Sequence, residues 1–230
     1  MTQHIGIVAG SAEGAALCYR TICLEAPALM GEHDHPEITM NSVALAGNMR
    51  HVRANDWEAL AEAMLLSARK VAQAGAAFAI CPDNTYHQAF GHLVPRSPIP
   101  WLHIGRAVAE EAHRLGYARL GILGTRYLME GPVYPEVLEE FGIESEIPDE
   151  ADRERINEII FKELVNGLFP ERSRLYFNEV AAGFKARRCD AVVLGCTEIP
   201  LIVRVDDTPL PTLDSTRLLA RAALAKALGR

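Results

Sequence analysis

The chain has 230 residues, of which 49% are hydrophobic and 23% are charged, as is ordinary for a globular protein with a full core. Its formal net charge of −7 argues against a nucleic-acid partner, because phosphate binding needs a basic surface. No stretch approaches the roughly 18 unbroken apolar residues of a membrane-spanning helix. The five cysteines are scattered without zinc-ligand spacing, and no signal-type segment is seen, so a cytoplasmic protein without a metal site is predicted.

Apolar runs and helical periodicity alternate through the first half of the chain. A strand at 4–9 leads through a Gly10-Ser11 loop into a helix at 15–28. Further strands are predicted at 37–44 and 76–80, separated by a helix at 56–73 that begins at the cap Asp56 and ends at Gly75. A last helix of this half begins at 87. Pro95, Pro98 and Pro100 then mark a domain boundary.

The second half repeats this order. Strands are predicted at 101–104, 119–123, 144–147 and 191–194, and helices at 106–115, 129–141 (broken by prolines), 151–166, 173–187 and 216–228. Strands that alternate with helices predict mostly parallel sheets. The sequence therefore predicts an α/β fold of two similar domains, each a mostly parallel sheet flanked by helices and related to the other by a pseudo-twofold axis. The first domain is predicted at 1–98 with the C-terminal helix at 212–230, and the second at 99–211.

Polar residues follow one buried strand in each half. The strand at 191–194 ends in Gly195, Cys196 and Thr197, and the strand at 76–80 is followed by Asp83 and Asn84. In open α/β sheets, ligands bind just outside the carboxyl ends of strands. We therefore expect the two strand ends to face each other across one active-site cleft between the domains.

Four motifs point to a known family. They are Gly-Cys-Thr-Glu-Ile at 195–199, Asn-Thr-x-His at 84–87, Leu-Gly-Thr-Arg-Tyr at 123–127 and Ile-Asn-x-Ile-Ile-Phe at 156–161. With them the chain resembles the cofactor-independent aspartate/glutamate racemases over nearly its whole length. It is most similar to the aspartate/glutamate-specific members with a single catalytic cysteine. The resemblance implies a two-domain α/β fold and a small acidic amino acid as substrate.

The resemblance also implies two acid/base residues. Racemisation removes the α-proton on one face of the carbon and returns a proton on the other, so two groups must flank it. Cys196 stands at the second-half position of the family. The first-half position, directly before Asn84, holds Asp83, where most members have cysteine and nearer relatives have threonine. Asp83 is the predicted partner, while Cys81 and a merely turn-capping Asp83 remain alternatives.

Further residues are expected to bind substrate. By resemblance, small polar residues at the strand ends hold the α-carboxylate and the amine: Gly10, Ser11, Asn84, Thr85, Thr125, Thr197 and Glu198. A second carboxylate needs a cation, for which Arg53 and Arg155 are the candidates. Arg155 stands where relatives carry lysine. His87 is left open between a capping and a functional role.

The predicted function is a cofactor-independent racemase of aspartate or glutamate. Alternatives are a related decarboxylase or cis–trans isomerase of a dicarboxylic acid, or a racemase-like binding protein with altered catalysis at Asp83. No cofactor is expected, because the four lysines all fall in predicted helices without a pyridoxal-phosphate context: Lys70, Lys162, Lys185 and Lys226. The expected partners are a small-molecule substrate and, since relatives are commonly dimers, a second copy of the chain, with neither nucleic acid nor membrane.

Overall fold

The computed structural model describes residues 2–230, and of residue 205 the backbone alone. The described residues form seven strands: β1 (Ile5–Ala9), β2 (Ile38–Ser42), β3 (Phe78–Ile80), β4 (Arg119–Leu123), β5 (Glu144–Glu146), β6 (Ala191–Leu194) and β7 (Thr212–Asp214). Their helices are α1 (Ala12–Glu25), α2 (Pro27–Met30), α3 (Leu45–Arg53), α4 (Trp57–Gln73), α5 (Phe90–Leu93), α6 (Ile104–Arg114), α7 (Arg126–Met129), α8 (Val133–Glu139), α9 (Glu150–Lys162), α10 (Glu171–Ala186), α11 (Ile199–Ile202) and α12 (Ser215–Ala227). Short 3₁₀ helices lie at Thr85–Ala89, Val94–Arg96, Leu164–Asn166 and Val205–Asp207.

Two compact units divide the chain, one running up to Ile104 and taking in Thr216–Arg230, the other covering Gly105–Ser215. The first holds a three-stranded sheet in the order β2-β1-β3, and the second a four-stranded sheet in the order β5-β4-β6-β7. Neighbouring strands in both sheets are parallel. The predicted class of parallel sheets flanked by helices is therefore confirmed, whereas the predicted boundaries near 98 and 212 stay a prediction.

The first sheet is covered by helices on both faces, because its central strand is apolar throughout. All five residues of β1 are buried. Ile5 and Ile7 pack against α1 and α12 on one face, and Val8 packs against Val71 of α4 on the other. A parallel strand buried on both faces is typically a continuous apolar run, which is the pattern that predicted it.

The core of the second unit lies between β6 and two long helices. Val192 and Leu194 pack in one cluster with Ile156 and Ile160 of α9 and with Phe177 of α10. The four residues of β6 are all buried. This packing fixes the carboxyl end of β6, from which the Gly195-Cys196 loop leaves the sheet.

Local signals place several helix ends correctly. Asp56 caps α4 by accepting a hydrogen bond from the Ala59 N–H at 2.9 Å, and Gly75 follows the helix with a φ of +101°. Both features were predicted, because a short acceptor before a helix and a glycine after it satisfy end groups that the helix leaves unpaired.

Some sequence predictions were wrong. The first helix begins at Ala12 rather than 15, because the Ser11 hydroxyl accepts a hydrogen bond from the Gly14 N–H and starts the helix early. The strand predicted at 101–104 is a single bridge between Trp101 and Ala79, and Ile104 already begins α6.

Other elements were missed or run differently from the prediction. Helix α3 was not predicted, since Gly47 and the basic residues of its last turn obscure its periodicity. Strand β7 was missed as well, because three residues are too few to show an alternating pattern. The helix predicted at 129–141 is two helices, with α7 ending at Met129 and α8 beginning at Val133.

The packing of β4 against α10 predicts a large difference between two Gly→Ala substitutions. A Cβ on Gly121 would lie 2.5 Å from Cδ2 and 2.7 Å from Cδ1 of the Phe184 ring, whereas a Cβ on Gly183 of α10 would meet no atom within 4 Å. Gly121→Ala should lower the free energy of unfolding by about 1–3 kcal/mol through overpacking. Gly183→Ala should raise it by about 0.5–1 kcal/mol, because alanine favours the helix. Urea denaturation of both variants checks this, and equal stabilities would contradict the described packing.

Candidate functional site

The parallel register of β1 and β3 brings Gly10 and Asp83 side by side. Ile7 pairs with Ile80, and three residues further along each strand stand Gly10 and Asp83. A Cβ on Gly10 would lie 2.7 Å from the Asp83 Cβ, closer than real Cβ contacts come. Glycine at position 10 is therefore what allows the Asp83 side chain to lie at the end of β1.

The Asp83 loop continues into the first 3₁₀ helix. Asp83 is half-buried, and its Oδ1 lies 3.4 Å from the Tyr86 backbone N–H, which donates to it. The predicted capping contact thus exists, and it engages one carboxylate oxygen while Oδ2 lies on the Gly10 side. Asn84 and Thr85 are buried next to it, and Ser11 caps α1 beside Gly10, so five of the predicted site residues meet at one sheet edge.

Cys81, the alternative acid/base residue, lies in the core below this loop. It is fully buried, and burial raises the pKa of its thiol well above the usual range, with a further increase from the Asp83 charge. A thiol in this position is a poor base at neutral pH, because its ionised form is disfavoured by burial. The structure therefore favours Asp83 over Cys81 on chemical grounds.

His87 is engaged through both ring nitrogens. Its Nδ1 lies 2.9 Å from the Asp83 carbonyl oxygen, and its Nε2 accepts a hydrogen bond from the Ile104 N–H at 3.1 Å. The ring stacks on Phe90 with 4.0 Å between centroids. Burial lowers the pKa of His87 well below its usual range, and nearby His103 lowers it further. Both ring nitrogens of His87 thus contact backbone groups, and the choice between the two roles left open from the sequence stays a prediction.

In the second unit, two glycines bring the ends of β4 and β6 together. Leu123 pairs with Leu194, and the Gly195 N–H donates to the Leu123 carbonyl at 2.7 Å. A Cβ on Gly195 would lie only 2.8 Å from that carbonyl oxygen. Both strands end here, and Thr125 lies two residues after β4 and Cys196 two residues after β6. Thr125 caps α7 by accepting the Leu128 N–H at 3.3 Å.

Cys196 lies against a buried carboxylate. Its Sγ is 3.0 Å from Oε2 of Glu198, and the Thr197 hydroxyl donates to the same oxygen at 3.0 Å. All three residues are buried, with Glu198 only 2% exposed. The thiol is thus within hydrogen-bond distance of a buried carboxyl oxygen, so a proton can pass between Cys196 and Glu198.

The two arginines predicted for a second carboxylate lie on helices. Arg53 is the last residue of α3 and is exposed. Arg155 lies in the second turn of α9, where it pairs with Glu158 at 3.2 Å and lines a surface cavity of about 430 Å³ that also contains Arg126.

Two residues beside Cys196 were missed by sequence reasoning. Ser215 donates to the Leu194 carbonyl at 2.8 Å, and the Tyr134 ring lies near Gly195. Ser215 follows β7 and is a polar residue at a strand end, which is the signal that singled out the other site residues. Tyr134 lies on α8 between two prolines, and nothing in its sequence surroundings indicates its position.

The four lysines lie on α4, α9, α10 and α12, as predicted. Among the described residues, no group of three or more histidine, cysteine, aspartate or glutamate side chains is arranged to hold a metal ion. None of the described helices is both long and apolar enough to cross a membrane. The polar strand ends of the two units are thus the main concentration of reactive groups.

Comparison with known proteins assigns a family to this arrangement. The profile of the Asp/Glu/hydantoin racemases matches residues 7–223. A crystal structure of a candidate Asp/Glu racemase from Yersinia pestis is 32% identical, with 98% of this chain and 99% of that chain covered and a TM-score of 0.89. An aspartate racemase homologue from Pyrococcus horikoshii is 26% identical, with coverages of 99% and 100% and a TM-score of 0.84. An aspartate racemase from Picrophilus torridus, 19% identical over 98% and 94% with a TM-score of 0.80, shares the fold.

Two α/β units, each with a parallel sheet and with titratable side chains after its strands, are thus the frame of an enzyme of the racemase type. The chain belongs to the Asp/Glu/hydantoin racemase family. The resemblance noted from the motifs is confirmed by these matches.

The contact between Gly10 and Asp83 predicts that Gly10→Ala displaces the acid. An alanine Cβ would lie 2.7 Å from the Asp83 Cβ, so the loop must move by about 0.7 Å or more to restore van der Waals contact. The strain should cost about 1–3 kcal/mol of stability. A crystal structure of the variant measures the shift. Gly91→Ala on α5, where a Cβ meets nothing within 4 Å, is the control. An unmoved Asp83 in Gly10→Ala would show that the loop is not held by this contact.

Proposed function

We propose that the protein is a cofactor-independent racemase of acidic amino acids, aspartate or glutamate, that uses Asp83 and Cys196 as its two acid/base groups. Membership of the racemase family supports the reaction class. The observation that carries the assignment of residues is that, in each unit, a strand paired with β1 or β4 is followed at its carboxyl end by a titratable side chain. These side chains are Asp83 after β3 and Cys196 after β6.

In the proposed reaction, one group removes the α-proton and the other supplies a proton to the opposite face. When Asp83 acts as the base, it takes the α-proton of one enantiomer, and the Cys196 thiol then protonates the carbanion and is left as thiolate. The product of that step leaves Asp83 protonated and Cys196 ionised, which is the state needed for the reverse direction. An aspartate carboxyl group has a reference pKa of about 3.9, whereas a cysteine thiol has one of about 8.5.

We propose that Glu198 supplies the missing acceptor for the thiol proton. Its Oε2 lies 3.0 Å from Sγ, and its burial excludes water as a competing partner. When Cys196 must act as the base, its proton passes to the Glu198 carboxylate, the thiolate removes the α-proton, and Asp83, which has taken up a proton from solvent, protonates the opposite face. This differs from the substrate-binding role first predicted for Glu198.

The proposed substrate contacts lie on the small polar residues at the strand ends. In the first unit these are Gly10, Ser11, Asn84 and Thr85, and in the second Thr125 and Thr197. Backbone N–H groups at strand ends and at the start of α1 can hold the α-carboxylate and stabilise the negative charge that forms on it in the transition state. Arg53 and Arg155 remain the proposed partners of the side-chain carboxylate, which in the case of Arg155 requires release from Glu158.

We also propose a cytoplasmic homodimer that binds its substrate without nucleic acid or membrane. The thiol chemistry favours a reducing compartment, because an oxidised Cys196 could not carry a proton. Dimerisation is proposed from the common state of relatives, and sedimentation analysis tests it directly.

The two-base mechanism predicts mirrored effects for Asp83→Asn and Cys196→Ser. Each substitution should suppress α-proton exchange of one enantiomer by about 100-fold or more, since a positioned general base contributes 10²–10⁴-fold. The other enantiomer should still exchange, now without inversion. Proton NMR of L- and D-aspartate and L- and D-glutamate in deuterated water, followed by chiral analysis, measures both effects.

Asp34→Asn and Cys23→Ser are the controls, because these residues lie outside the strand-end loops. Full racemase activity in Cys196→Ser would overturn the mechanism. Full activity in Asp83→Asn would reduce Asp83 to its capping contact. If the unaltered enzyme exchanges the α-proton of none of these amino acids, the decarboxylase, isomerase or binding alternatives are favoured instead.

The Cys196–Glu198 pair predicts a one-sided effect of Glu198→Gln. The amide keeps the size and accepts the thiol hydrogen bond, but it cannot take up a proton. Exchange of the enantiomer that depends on Cys196 should fall by about 10- to 100-fold, with less effect on the other enantiomer. Glu179→Gln on the exposed face of α10 is the control. Equal losses for both enantiomers would return Glu198 to substrate binding.

A further inference from the structure

We propose that His87 is a positioning residue that sets the direction of Asp83 by tying its backbone to the start of α6. The inference rests on the proposed function, in which Asp83 is one of the two bases. It concerns a residue whose two ring nitrogens both contact backbone groups, and which acts through the chain that carries the base.

The contacts with the Asp83 carbonyl and the Ile104 N–H together favour the neutral Nδ1–H ring, whose pKa the Leu102 backbone raises by less than burial lowers it. The Ile104 N–H can only donate, so the Nε2 that it meets at 3.1 Å must carry a lone pair. The remaining nitrogen, Nδ1, therefore carries the proton and donates it to the Asp83 carbonyl at 2.9 Å. A neutral Nδ1–H ring thus acts as a rigid link between two backbone groups.

The ring is also held in orientation by its neighbours. Phe90 stacks on one face at 4.0 Å and 24°, and His103 meets the ring edge-on at 4.7 Å. Only 4% of His87 is exposed. A movement at either end of this buried ring would break a hydrogen bond. Because the ring is shielded from solvent, the lost hydrogen bond would be costly, so the ring keeps the two backbone groups in a fixed relation.

The two ends of the link matter for different reasons. The Asp83 carbonyl belongs to the residue whose carboxylate lies against Gly10, so moving the carbonyl turns the side chain. Ile104 is fully buried in the core cluster that contains Ile5 and Ile80, and it opens α6. His87 therefore connects the Asp83 loop to the buried Ile104 of the sheet core, in addition to the contacts that the loop makes itself.

Two substitutions separate the ends of the link. In His87→Asn, the side-chain amide occupies the place of Nδ1 and can still donate to the Asp83 carbonyl. In His87→Gln, the side-chain amide reaches the place of Nε2 and can accept from the Ile104 N–H. We expect His87→Gln to slow α-proton exchange of the Asp83-dependent enantiomer by about tenfold or more, with a smaller loss in His87→Asn. The enantiomer that depends on Cys196 should be less affected in both variants.

The experiment compares exchange of L- and D-substrates by the unaltered enzyme, Asp83→Asn, His87→Gln and His87→Asn, with the same substitutions at exposed His92 as controls. Asp83→Asn identifies which enantiomer depends on Asp83. Equal losses for both enantiomers in the His87 variants would overturn the positioning role and reduce His87 to a stabilising residue. No exchange in the unaltered enzyme would overturn the proposed function itself, and with it the role of His87.

Nitrogen NMR of the unaltered enzyme tests the link without any activity and without a variant that must fold. Long-range ¹H–¹⁵N spectra of the histidine rings should show His87 as the neutral Nδ1–H tautomer from pH 8 down to pH 6. An Nε2–H tautomer, or a ring that becomes charged in this range, would remove the bond to Ile104 and overturn the proposal.

Discussion

The close approach of neighbouring strand ends is the constraint on which the rest of the site depends. Parallel strands end at the same edge of a sheet, and their register decides which residues stand beside one another there. In the first unit the register of β1 and β3 puts Gly10 against Asp83. A side chain at position 10 would occupy the space of the acid. Hence the placement of Asp83 follows from backbone pairing and a missing Cβ.

The second unit uses the same means with different chemistry. Gly195 passes so near the Leu123 carbonyl that its N–H donates to it, and Cys196 follows directly. There the neighbour of the reactive group is a carboxylate two residues further along the chain, Glu198, rather than a glycine of the adjacent strand. The two strand ends thus present a carboxyl group in one unit and, in the other, a thiol with a carboxyl oxygen 3.0 Å away.

The sequence predicted those features that short-range patterns encode. The apolar runs of β1 and β6 and the cap at Asp56 follow from local chemistry, and motif resemblance singled out Cys196. The bond from His87 to Ile104 could not be predicted, since it joins residues 17 positions apart that meet only after the chain folds. The same bond explains the wrong strand at 101–104. The Ile104 N–H, which a strand would use to pair with its neighbour, donates to the His87 side chain instead, and the segment becomes the start of α6. The contact of Cys196 with Glu198 was also missed, because a spacing of two is not a pattern typical of an ion or proton pair.

The difference between an aspartate and a cysteine as bases does not by itself make the enzyme one-directional. Two enantiomers have equal free energies, so kcat/KM must be the same in both directions whatever the two groups are. The asymmetry can only appear in kcat and KM separately, or in the rate at which each face exchanges its proton with solvent. The reference pKa values differ by more than four units, which corresponds to about 6 kcal/mol between the two proton positions. With Glu198 as the proposed acceptor behind Cys196, the comparison becomes one between two carboxyl groups. In the proposed mechanism, the buried Glu198 carboxyl group is therefore what makes an unequal pair suitable for a reaction whose equilibrium constant is one.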